Sequence, residues 1–506
     1  MAVVPRQDVR PAPPQGEQVG IFVEDDFSAG TAKYTARDRR GRIGELSPDS
    51  IRLQSVEPAD TTGVQKLLAV PVSFVDSPEP LMTRDEVDTF VFRASVQSFY
   101  QEASYRQLFW EGRTLDWLTI PREANGQWPA FGGDSDPDGV YNYIRSQVGD
   151  LRQFGTLLFL VNHPAFGGGF AAVGRGIFTL SGEEHRLGFA QVGLANFDSP
   201  YGETGVRYGE FVVIHELGHV LGVHHAGAWD CGADESYGSC EPVEYGNRFD
   251  VMGTGLHGLH FNGRFKELFH WVRERTATIV ADGIYSLAPL EQASGPTVAK
   301  IQTAGTESLY LEYRRNVGFD AGVKPGLFVN WIPQGDEERN VARLLDMSPK
   351  GDTWDDVILP MGSTYKDKGR GVKLTVLSMD EGTLTFAVQF IAPRCRPTEP
   401  VVSDLPSLIR VSASSTVGMP FRVENPDAAS CGMGRLKVKL EVPEGWSYEM
   451  ATLNPASVEP EGAEEWVVPL VTVPKGTPHG FYAVVVRVKN TSTGLTTRKE
   501  VRYEVQ

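Results

Sequence analysis

From its N-terminus the chain begins with about 17 residues that offer little to pack. Pro5, Pro11, Pro13 and Pro14 punctuate them, and residues 1–17 are expected to form a disordered tail. Short strand-like runs follow at Val19–Val23, Ala32–Ala36 and Ser50–Ser55, broken by the turn-like basic cluster Arg39–Arg42, and predict a small β module over 18–62. The pattern then changes. Gln65–Val75 is almost continuously apolar, as a buried strand requires, and Val87, Phe90, Val91, Ala94 and Val96–Phe99 recur at near 3.6-residue spacing. That spacing predicts a helix from Thr83 to about Tyr100, with Thr83 and Glu86 as its capping box. Strand-like runs near 108–120, 155–162 and 187–192, and a second helix from about 209 to 222, complete a mixed α/β unit over 63–276.

Beyond Thr276 the helical period disappears. Gly283–Leu287, Ser308–Tyr313, Gly326–Trp331, Val372–Val376 and Thr383–Phe390 are short strands between turn residues, which predicts a β-sandwich over 277–393. Pro393–Pro400 reads as a linker. The alternation in Leu436–Val442 and Tyr482–Val488 predicts an immunoglobulin-like β-sandwich over 394–506. The fold class expected is therefore multidomain α+β. No repeat of fixed period is present.

Composition narrows the function. Lys plus Arg is 48 and Asp plus Glu is 65, a formal charge of −17 with no basic block, so nucleic acid is not an expected partner. The apolar run Thr156–Val161 falls far short of the roughly 18 residues that cross a bilayer, so no membrane span is expected. The four cysteines fall as two sequence-local pairs, Cys231 with Cys240 and Cys395 with Cys431, which suits two disulfides and an oxidising compartment. Met1–Gln7 carries no signal-peptide pattern, so secretion would need a segment not present in this chain.

Seven of the ten histidines lie between 215 and 270. His215, Glu216 and His219 form H-E-x-x-H, and on a helix positions i and i+4 share one face, so two imidazoles can bind one ion while Glu216 reaches its water. Gly222 and His225 extend the motif to H-E-x-x-H-x-x-G-x-x-H. The glycine lets the chain leave the helix at positive φ and bring a third imidazole to the metal. Three nitrogens with one open position define a catalytic zinc site. The spacing selects His225 over its neighbour His224.

Phe249–Gly253, 27 residues from His225 to Met252, resembles the Met-turn of metzincin metallopeptidases. The run Glu244–Gly255, followed by His260–Trp271, is similar to the gametolysin group of that class and more distantly to immune inhibitor A-like peptidases. Ser98–Tyr105, Trp117–Pro121, Tyr310–Arg315 and Gly318–Asp320 also resemble the group, over roughly residues 65 to 390. The resemblance implies a metzincin catalytic domain over 63–276, one zinc on His215, His219 and His225, Glu216 as general base, and Met252 as packing support. It further implies a substrate lying extended along an edge strand, for which Gly188, Phe189 and Ala190 are the candidates. Thr254 stands where some metzincins carry a tyrosine ligand, so no such ligand is expected.

Weaker features have plainer readings. Asp134, Asp136 and Asp138 resemble the opening of a calcium loop, but Arg145 stands where a glutamate is needed, so helix capping or a solvated turn is preferred to calcium. Gly167–Gly169 reads as a flexible segment near the cleft, His257 and His260 as structural hydrogen-bonding residues, and Asn490 as a chance glycosylation sequon. The expected function is a secreted, monomeric zinc endopeptidase acting on proteins or peptides, among them extracellular glycoproteins. The alternative is an adhesin or glycan-binding protein built on a peptidase-like scaffold.

Overall fold

The computed structural model describes four strands between residues 10 and 46, then 57–120 and 138–506, apart from short gaps at 165, 181–182, 231–240, 304–306, 333–340, 348–356, 368–369, 392–396, 428–430, 432 and 461. The protein is built mostly of β-sheets, with few helices.

The first large sheet contains β1 (Gln18–Asp26), β2 (Thr31–Asp38), β3 (Ile43–Leu46), β4 (Gly63–Phe74), β5 (Leu108–Thr114), β6 (Thr156–Asn162), β7 (Gly167–Ala172) and β8 (Glu183–Leu194). Their order is β3-β2-β1-β7-β8-β6-β4-β5. Strands β5, β4, β6 and β8 run parallel, and β7 is antiparallel to β8. A parallel sheet is covered on both faces, which is why β4 and β6 read as continuous apolar runs rather than alternating ones. Leu67, Ala69, Leu158 and Leu160 face one core with helices α1 (Arg84–Phe92), α2 (Ser95–Ala103) and, farther along the chain, the histidine helix (Tyr208–Val220). Leu68, Val70, Leu157 and Phe159 face the other, under the helix Asp138–Val148.

Two expectations change here. The helix anticipated over 83–100 is two helices, broken at Arg93 and Ala94; the capping box at Thr83 and Glu86 is present, and both pieces pack on the same core. The segment 18–62 is not a separate module in its backbone pairing. β1 adds to β7 with Val23 opposite Ala171 and Asp25 opposite Gly169, so the N-terminal strands extend the sheet of the following unit.

A second, seven-stranded sheet crosses the boundary expected at 276/277. It contains β9 (Ala226–Asp230), β10 (Glu241–Val243), β11 (Thr276–Ile279), β12 (Val298–Gln302), β13 (Ser308–Arg314), β14 (Gly326–Ile332) and β15 (Ala342–Leu345), in the order β10-β9-β15-β14-β13-β12-β11. Ala226 pairs with Ala342 in parallel register, so the strand that begins immediately after His225 belongs to the sheet of the next module. All seven residues of β13 are buried. Leu309, Leu311 and Tyr313 face a four-stranded sheet (Gly283–Leu287, Thr364–Asp367, Val372–Met379, Leu384–Phe390), and the two sheets share one core as a sandwich. Tyr310, on the opposite face, joins the core of the histidine helix.

Residues 397–506 form three small sheets around a core of their own that includes Phe421, Val438, Val486 and Tyr503. Burial alternates strictly along Gly434–Glu441, as expected of a strand with one wet face. Asn490 is buried and donates from Nδ2 to Asp427 Oδ2 at 2.8 Å, so its side-chain nitrogen is engaged in the fold rather than presented for glycosylation. Cys431 is disulfide-bonded; Cys231, Cys240 and Cys395 lie outside the described residues. Among the described residues no helix is long and apolar enough to cross a membrane.

Candidate metal centre

The histidine helix is buried along nearly its whole length, with Gly209 and Phe211 to Val220 enclosed. Its first turn is fixed by Glu210, which accepts from the Arg207 backbone at 3.1 Å, from Arg207 Nη2 at 2.7 Å and from Ser95 Oγ at 2.6 Å. Burial pushes the Glu210 carboxyl up, but these bonds outweigh it and hold the group below the usual range, so it stays ionised at the positive end of the helix. The helix stops at Gly222, whose φ is 104°, a conformation that glycine adopts without strain. The chain turns there and delivers His225 to the start of β9.

His215, His219 and His225 are all buried, and one nitrogen from each lies within 4.8 Å of the others. The Nε2 atoms of His215 and His219 are 3.1 Å apart. Each Nδ1 points away from this focus. His215 Nδ1 meets the Val251 carbonyl at 2.6 Å, His219 Nδ1 the Val223 carbonyl at 2.8 Å, and His225 Nδ1 the Glu244 carboxylate at 2.9 Å. A carbonyl only accepts, so the first two rings carry their proton on Nδ1 and leave a lone pair on Nε2. That is the tautomer a metal needs, oriented by outer partners as metal-binding imidazoles usually are. The donor set fits a divalent metal that accepts nitrogen ligands. Among the described residues this is the group that can hold one.

Glu216 is fully buried and follows His215 in the chain. It fits there because position 169 is glycine: a Cβ on Gly169 would lie 1.8 Å from Glu216 Oε1. The run Gly167–Gly169 is thus strand β7, not a flexible segment, and its missing side chain is space for the carboxylate. A Cβ on Gly218 would lie 2.3 Å from Met252 Sδ, so Met252 packs directly against the histidine helix at that glycine. Tyr100 donates to the Ile214 carbonyl at 2.7 Å; burial and the nearby Glu216 charge push its hydroxyl well up, keeping it a neutral donor.

The expected substrate edge is corrected. Gly188, Phe189 and Ala190 lie in β8, an interior strand paired with β6 on one side and, at Ala190, with β7 on the other. The strand against Glu216 is β7, whose outer side carries β1 from residue 169 to 172. Asp134 and Asp136 lie outside the described residues; Asp138 opens the helix Asp138–Val148. His260 is fully buried between Glu102 Oε1 at 3.0 Å and Lys266 Nζ at 3.1 Å, and His257 contacts Glu203 at 3.1 Å, so both make hydrogen bonds away from the triad. Two neighbours of the site carried no local signal of a role. Glu244 orients His225, and Tyr245 lies over the His225 ring with centroids 4.0 Å apart. Both sit in the run that resembles gametolysins, which is the one hint the sequence offered.

No family model and no curated protein matches the chain. Similar solved structures include OgpA from Akkermansia muciniphila, at 9% identity and TM-score 0.24 over 90% of this chain and 96% of that one. The secreted serine protease VesC from Vibrio cholerae aligns at 8% identity and TM-score 0.16, over 45% of this chain and 46% of its own. A family 123 glycoside hydrolase from Clostridium perfringens aligns at 7% identity and TM-score 0.17, over 22% and 27% respectively. Likeness this slight carries no argument about fold or function.

Proposed function

We propose that the chain is a secreted zinc endopeptidase of the metzincin type, hydrolysing peptide bonds of extracellular proteins. The observation that carries this reading is the convergence of three oriented imidazole nitrogens beside a buried carboxylate on the same helix. The strand order β5-β4-β6-β8-β7, with its last strand reversed, and the methionine packed beneath the helix agree with it. The disulfide at Cys431 agrees with an oxidising compartment.

His215, His219 and His225 would hold the ion, with Val251, Val223 and Glu244 fixing their rings. Zinc supplies a water of lowered pKa and a polarised carbonyl when bound. Glu216 takes the proton of the attacking water and passes it to the departing amine, a role worth about 10²–10⁴-fold in rate.

Digestion of casein by the full chain tests the proposal. A chelator is expected to abolish cleavage, added zinc to restore it, and Glu216→Ala to remove it while zinc stays bound. Undiminished proteolysis by Glu216→Ala would overturn the mechanism.

A further inference from the structure

The sandwich module reaches the turn beside the histidines chiefly through one side chain, Arg314. Arg314, at the end of β13, is fully buried, and its guanidinium donates from Nη1 to the Phe249 carbonyl. Its other edge forms a fork onto Asp320, with Nε to Oδ2 at 2.9 Å and Nη2 to Oδ1 at 2.5 Å. Asp320 Oδ1 also accepts from the His260 backbone at 3.1 Å, and Nη2 reaches the His260 carbonyl at 3.4 Å. On the same strand Glu312 accepts from the Gly263 backbone. These contacts grip residues 249 and 260–263 from the sandwich side.

Between those points lies the turn that serves the histidines. Asp250 accepts from the Met252 backbone at 2.7 Å through Oδ1, and from the Asn262 backbone at 2.6 Å and Asn262 Nδ2 at 2.7 Å through Oδ2. Val251 presents the carbonyl that orients His215, and the Met252 carbonyl accepts from Ala226, the residue after His225, at 2.8 Å. One turn therefore governs the first and third imidazoles, and Arg314 holds its leading carbonyl.

We propose that Arg314, locked by Asp320, is a positioning residue for the metal centre, so that the sandwich module is part of the catalytic unit rather than an accessory to it. The proposal rests on the metal-site reading above. A planar fork suits this role because it satisfies a carboxylate on one edge and a carbonyl on the other, which an ammonium cannot do in one fixed geometry. The guanidinium acts through the turn and touches neither the metal nor the substrate.

Zinc affinity of the full chain, measured by competition with a chromophoric chelator, and the visible spectrum of its cobalt(II) form provide the test. Arg314→Lys is expected to weaken zinc binding by about tenfold, the low end for residues that orient ligands. It should also change the cobalt spectrum and lower kcat with KM within about twofold. Asp320→Asn should reproduce the effect in weaker form, and it carries the measurement if the lysine variant does not fold. Leu374→Ala, in the sandwich core on the opposite face of the sheet, serves as the control for loosening: it should lower the melting temperature while zinc affinity and spectrum stay those of the wild type. Unchanged affinity and spectrum in folded Arg314→Lys or Asp320→Asn would overturn the proposal, as would an equal loss in Leu374→Ala. Failure of the wild type itself to bind zinc would instead overturn the metal-site reading.

Discussion

The sandwich module and the C-terminal module are both stacks of short strands, yet they stand in opposite relations to the histidines. The sandwich shares a sheet with β9 and buries Glu312, Arg314, Asp320 and Asn330 within or beside that sheet. The C-terminal module closes its own core and keeps its ion pairs at the surface, as with Arg410 and Glu504 at 2.8 Å, whose side chains are 65% and 25% exposed. Buried charge has a high desolvation cost and survives only where partners are fixed, so it marks the interface that must keep one geometry. Exposed pairs carry no such obligation.

The contrast can be broken or sharpened by experiment. The largest effect belongs to Glu216→Gln, expected to lower kcat by about 10²–10⁴-fold at unchanged zinc content in a peptide-cleavage assay. Gly169→Ala should follow, at roughly 10²-fold in kcat, because the new methyl displaces the Glu216 carboxylate. Its melting temperature should fall as well, because Glu216 is fully buried and its Cδ and Cγ also lie within 2.5 Å of the added methyl. Asp320→Ala should cost about 3–5 kcal/mol in denaturant unfolding of the histidine-bearing unit by stranding Arg314, whereas Arg410→Ala in the C-terminal module should cost under about 1 kcal/mol. A chain lacking residues 397–506 is expected to keep peptidase activity within about twofold, and a larger loss would erase the distinction between the modules.

The smallest effect is a difference in pH response. Burial pushes Asp250 up to about 6 and Glu312 up to about 7. Both values lie above those of the unfolded chain, so their contribution to stability is complete below about pH 4 and is lost as pH rises through 6 to 7. Among the described carboxylates of the C-terminal module only Asp427 is raised, again by burial. In chelator-treated protein Asp250→Asn and Glu312→Gln should each therefore reduce the fall in melting temperature of the histidine-bearing unit between about pH 5 and pH 7, a comparison that leaves the opposing contribution of His260, whose value burial lowers, the same on both sides.

What was legible in the sequence was local. His215, Glu216, His219, Gly222 and His225 lie within eleven residues, and helix geometry plus one glycine suffices to bring them together. The alternation of Leu436–Val442 likewise announces a half-buried strand, which the structure places at Gly434–Glu441. What stayed hidden depends on pairings between distant residues. Ala226 meets Ala342 across more than a hundred residues, and no local pattern announces that partner, so the module boundary was drawn through a continuous sheet. Glycine is ordinarily depleted in strands, which made Gly167–Gly169 look flexible; its reason, the Glu216 carboxylate, lies on another element. Ser308–Tyr313 reads only as one more short sandwich strand, and nothing local shows that its polar residues are buried as fully as its apolar ones.

X-ray absorption at the zinc edge, on the purified chain and on His219→Ala, tests the central claim most directly. One zinc per chain with a first shell of three imidazole nitrogens, lost or severely weakened in the variant, is the result predicted. A metal-free wild type, or a zinc shell unchanged by removing His219, would contradict it.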